Sequence, residues 1–155
     1  MPKPKFSLKE KDPELLSLVQ ESNKKILAIW AKSCAERVLS YYEDSFPTDP
    51  RPQLALDALQ DWIDTGKFSM KVIRSAALAA HAAAREVGED SPARSAARSA
   101  GQAVSTAHVK EHALAAANYA LQAIFRANIN NKPSEAVSTE KNRQTQQLIE
   151  LNQNK

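Results

Sequence analysis

The 155-residue chain has one cysteine, Cys34, and only three glycines. One cysteine excludes a disulfide within the chain, and the expected compartment is the reducing cytoplasm. There is no Gly-rich phosphate loop, no nucleophile elbow and no cysteine cluster. No apolar run approaches the ~20 residues that a membrane-spanning helix needs. The start, "MPKPKFSLKEKDPELL", lacks the apolar core of a secretory leader. Strong charge of one sign is also missing: the net charge is +3. Lys and Arg are scattered and mostly followed by acids, so they read as solvated helix faces. A nucleic-acid binder usually shows a denser basic stripe with aromatic partners.

What the sequence does have is helical periodicity. Residues 1–11 are rich in Lys and Pro and read as a flexible basic arm. Asp12 and Pro13 are an N-cap and first-turn pair for a short helix over 13–21. Ile26, Leu27, Trp30, Cys34, Val38 and Tyr41 or Tyr42 then recur at three- and four-residue steps, an amphipathic helix ended by Pro47. In "PTDPRP", Asp49 can cap and Pro50 can open the next helix, whose apolar side is read as Leu54, Ala58, Leu59 and Trp62. Arg51 can pair with a carboxylate such as Asp44 or Asp57. Gly66 reads as a C-cap. Ser69 caps a helix ended by Gly88, and Ser91 with Pro92 restarts the chain. A bend is expected near His108–Lys110, and a last, very polar helix starts at Pro133 or Ser134, its end frayed.

These elements predict an all-α, single-domain bundle of about seven helices, with the arm at 1–11, the domain at 12–131 and the polar helix at 132–155. Alanine supplies 20 of the 52 residues from 76 to 127. It is the best helix former and allows close axial approach, so three Ala-rich helices should form a tight inner layer.

The chemistry-bearing candidates are few. His108 and His112 lie four apart and share a face if their helix is continuous. On the helix from Ser69, Arg74, Leu78, His81 and Arg85 form one stripe. Val72, Ala76, Ala80, Ala83 and Val87 face the other way, which sets His81 beside the alanine seam. Convergence of His81, His108 and His112 would give three nitrogen ligands with an open fourth position. However, Val109 follows His108, where a zinc peptidase helix carries Glu. Hydrogen-bonded structural histidines are the simpler reading, with Ser105, Thr106 and Tyr119 as neighbours. Cys34 lies on an apolar face and reads as a small buried hydrophobe. A nucleic-acid role would draw on the Lys-rich arm with Arg85, Arg94 and Arg98.

The blocks "WAKSCAERVL" (Trp30–Leu39), "FPTDPRPQLALDALQDW" (Phe46–Trp62), "AALAAHAAARE" (Ala76–Glu86) and "ARSAARSAGQAVSTAHVKEHALAAANYAL" (Ala93–Leu121) occur in this order. Across about residues 25–126 the chain resembles the immunity-five-like family of bacterial polymorphic-toxin systems. The resemblance implies an all-helical fold, no catalysis, no cofactor, and binding of a cognate protein toxin in the cytoplasm of the producing cell. It places the family's characteristic polar positions on Asp49, Arg51, His81, His108 and His112, beside Trp30, Cys34 and Trp62. The alternative is a metal- or small-ligand-binding helical protein, an enzyme among the options, built on the three histidines. Nuclease inhibitors often present acidic surfaces. Here the net charge is basic, and a local acidic patch could form, for example, around Glu36, Glu43, Asp44 and Asp57.

Overall fold

The computed structural model describes residues 4–8 and 12–154. Of the arm expected at 1–11, residues 1–3 and 9–11 lie outside the described residues. The described part has Phe6 tilted against Phe125, ring centroids 5.6 Å apart. Among the described residues the chain forms eight helices and no strand. They are α1 (Pro13–Glu21), α2 (Lys24–Glu36), α3 (Leu39–Glu43), α4 (Arg51–Thr65), α5 (Met70–Glu86), α6 (Pro92–Ser105), α7 (His112–Ala127) and α8 (Pro133–Gln153). No described helix is long and apolar enough to cross a membrane.

Local chemistry sets the helix starts. Side chains of Asp12, Asn23, Ser69 and Ser91 accept from the amides of Leu15, Ile26, Val72 and Arg94, satisfying donors that the first turn leaves free. Gly66 ends α4 at φ 68°, the left-handed geometry that glycine adopts without steric cost. The eighth helix arises because the segment expected as one helix up to Pro47 breaks at Arg37–Val38. The Val38 amide bonds to Ala35 only three residues back, and Val38 leaves helical geometry at φ −113°, ψ −2°. The bend keeps Val38, Leu39 and Tyr42 in the core.

α6 is the central helix, packed against α2, α3, α4, α5 and α7. Its buried residues are all small apart from Val104: alanines, Ser95, Ser99 and Gly101. Facing alanines on α5 and α7 complete the expected tight layer, and Ser99 Oγ donates to the Ala116 carbonyl at 2.8 Å. Leu27, Trp30, Leu56 and Leu59 supply the bulk outside it.

Two face assignments differ from the sequence reading. On α4 the buried residues are Pro52, Ala55, Leu56, Leu59 and Ile63, with Leu54 exposed. On α5 they are Ile73, Ala77, Ala80, Ala83 and Ala84, with Val72 exposed. On α5 the seam is mostly alanines, which carry little hydrophobic signal, so Val72 misplaced the face. On α4 the expected Leu59 is buried and Ala58 and Trp62 pack against the core, but the face centres on Leu56 and Ile63 instead of Leu54.

α8 is polar yet docked. Glu140, Gln144 and Leu148, at four-residue spacing, are buried against the bundle. Trp30 Nε1 donates to the Gln144 carbonyl at 2.8 Å, and Gln144 Nε2 donates to the Ala117 carbonyl at 3.1 Å. Arg37 grips both carboxylate oxygens of Glu140 and reaches Gln147. The helix continues to Gln153.

Candidate functional site

The polar residues that the resemblance picks out form two separate groups. At the α3–α4 turn, Asp49 accepts from the Arg51 amide at 3.1 Å, from the Arg51 guanidinium, and from the Tyr42 hydroxyl. The other arm of Arg51 reaches Glu86 at the end of α5. Its partners are therefore Asp49 and Glu86, rather than Asp44 or Asp57. Glu86 lies at the far end of α5, which turns back beside α4 and brings the carboxylate to the turn. The guanidinium first, and the Tyr42 bond with it, hold Asp49 well below the usual carboxylate range. Burial and the same bond push the Tyr42 phenol up to about 12. α4 opens at Arg51, one residue later than expected, with Pro52 in its first turn.

The second group lines a cleft of about 360 Å³ between α5 and the α6–α7 junction. Its walls include Met70, Arg74, Leu78, His81, Ser105, His108 and His112. The three histidines thus face one hollow, though by a different route from an i, i+4 pair. α6 ends at Ser105 and α7 begins at His112, so His108 stands on the connecting turn. That turn is pinned from the α1–α2 corner: Lys24 Nζ donates to the His108 carbonyl at 3.2 Å, and Lys110 Nζ donates to the Gln20 carbonyl at 3.1 Å. The His108 ring stacks on Phe68, centroids 5.9 Å apart. His112 Nδ1 lies 2.8 Å from Gln102 Oε1, within hydrogen-bond distance. His81 lies directly over Gly101. Burial, then the positive charges of Arg98 and Arg85 and the nearby His112, lower its pKa.

Among the described residues, no group of three or more His, Cys, Asp or Glu is placed to hold a metal ion. The alternative three-nitrogen centre on His81, His108 and His112 is thus not assembled among the described residues. The physical reason lies in their partners: one ring is held by Gln102, one stacks on Phe68, and one fills the space over Gly101. Cys34 is buried, as expected, and burial pushes its thiol up to about 12. Phe68, Gly101 and Gln102 were not singled out by the sequence. Gly101 could have been, as the one glycine within an otherwise Ala-rich helix, where glycine signals a close approach.

Fold and site together define a helical bundle with three histidines lining one cleft and a separate ion-paired turn at Asp49 and Arg51. Over residues 17–151 the chain matches the family described as "Imm-5 like putative immunity protein", and it belongs to that family. The match reaches past the 25–126 stretch of the sequence resemblance and takes in most of α8. No curated protein and no solved structure matches the chain.

Proposed function

We propose that this chain is a non-enzymatic, cytoplasmic immunity protein that binds a cognate protein toxin and neutralises it by steric occlusion. Membership of the immunity family across residues 17–151 carries this reading. A bundle cross-braced by ion pairs such as Arg37–Glu140 and Arg51–Glu86 suits a partner bound without large rearrangement. Occlusion needs a standard interface of roughly 1,600 Å² in total.

The two polar groups have different roles in this reading. Asp49 and Arg51 fasten the α3–α4 turn to α5, while His81, His108 and His112 belong to the partner-facing surface. The test is co-purification of the full chain with the toxin domain encoded beside its gene. A stoichiometric complex on size-exclusion chromatography is the expected result; two separately eluting proteins at micromolar concentration would contradict it.

A further inference from the structure

We propose that the cleft between α5 and the α6–α7 junction is the docking face, and that its occupant is an acidic segment of the toxin carrying a large apolar side chain. This rests on the immunity reading and gives it a location and a chemistry.

Charge comes first. Four of the eight arginines, Arg37, Arg51, Arg94 and Arg126, form ion pairs with Glu140, Asp49, Glu86 or Asp90. Among the described residues the other four, Arg74, Arg85, Arg98 and Arg143, form none. Three of these surround the cleft: Arg74 lines it, and Arg85 and Arg98 act electrostatically on His81 within it. No carboxylate lines it among the described residues. Half of the arginines are thus paired within the bundle, and three of the four unpaired ones gather around one hollow that no carboxylate lines among the described residues, which favours an anionic visitor.

The rim decides the kind of anion. Phe68, Met70 and Leu78 are large apolar side chains left exposed at or beside this opening, Leu78 with 56% of its surface in solvent. An apolar contact set beside charged ones is the usual make-up of a protein interface. A phosphate backbone would be met by cations without such a rim. Phe68 already stacks on His108 and offers its ring less freely to a base.

The experiment measures affinity of the full chain for the adjacent-gene toxin domain, comparing wild type with Arg74→Glu, Leu78→Ser, Arg98→Glu and, as control on α8, Arg143→Glu. Circular dichroism and melting curves establish that each variant is folded. Arg74 and Leu78 are exposed, so their variants keep the test alive if Arg98→Glu fails to fold. We expect Arg74→Glu and Arg98→Glu to weaken binding at least about tenfold, and Leu78→Ser several-fold, because like charges and lost apolar contacts both act at the interface. Arg143→Glu should stay within about twofold, since a charge outside an interface has little effect on it. Tight binding by wild type with all three cleft variants within twofold would overturn the docking face and leave the immunity reading intact. No binding by wild type would remove both. Salt-sensitive binding of a 20-base-pair DNA duplex, lost in Arg74→Glu, with toxin binding unchanged, would replace the acidic protein segment with nucleic acid.

Discussion

His81 occupies the notch that Gly101 leaves on α6: a Cβ at position 101 would lie 2.7 Å from His81 Nε2. The α5–α6 contact therefore depends on a missing side chain opposite a half-buried imidazole. Replacing a mid-helix glycine by alanine ordinarily stabilises by about 1 kcal/mol. Gly101→Ala in the wild-type chain should forfeit that gain by displacing the ring. In a His81→Ala background the same change should stabilise by about 1 kcal/mol. A urea-denaturation double-mutant cycle measures the coupling; equal effects in both backgrounds would refute the contact.

The Arg37–Glu140 pair fastens α8 to α2, and Glu140 is nearly inaccessible. Arg37→Ala would strand a buried carboxylate and should cost about 3 kcal/mol. Arg37→Met combined with Glu140→Leu should cost less than half as much, because both charges leave together. Chemical denaturation of the three proteins decides, and a double variant worse than the single would contradict the reasoning.

Cys34 is fully buried and its thiol is pushed up to about 12 by burial, with Arg37 only partly opposing. A thiol reagent at pH 8 should leave the native chain unmodified for hours and label one thiol promptly in guanidinium, since the thiolate is the reactive form. Prompt labelling of the native protein would show that the α2–α8 contact opens.

Two groups shape the acid side of the stability curve. His81 has a lowered pKa in the fold, so as pH falls below about 6.5 the unfolded chain takes up its proton first and stability declines. Asp49 is also lowered, so its contribution is present above its unfolded value of 3.8 and is lost as pH falls below it. His81→Gln should flatten the curve just below pH 6.5, and Asp49→Asn below pH 3.8, each read from melting temperatures against pH. An unaltered slope in either window would contradict the assignment.

The helical class, the Ser91 and Ser69 caps and the Gly66 stop were legible in the sequence because each rests on local chemistry. The α4 and α5 faces were less so. Leu54 and Val72 point to solvent; on α5 alanines carry most of the seam and give periodicity little contrast, while on α4 Leu56, Leu59 and Ile63 carry it. α8 showed its polarity but not its docking, because burial of Glu140 and Gln144 depends on Arg37, Trp30 and Ala117, more than 25 residues away in the chain. For the histidines, the sequence pointed to a shared neighbourhood, and all three line one cleft. The bend expected near His108–Lys110 is there: His108 leaves the helix, and Lys24 and Lys110 tie the 106–111 turn to the α1–α2 corner, ties that no local pattern reveals.

The most direct measurement is survival. Cells expressing the toxin domain encoded beside this gene are grown with and without co-expression of the full chain. Restored growth with the chain, and loss of protection in Arg74→Glu, is the predicted result. Equal killing with and without the chain would contradict its role as an immunity protein.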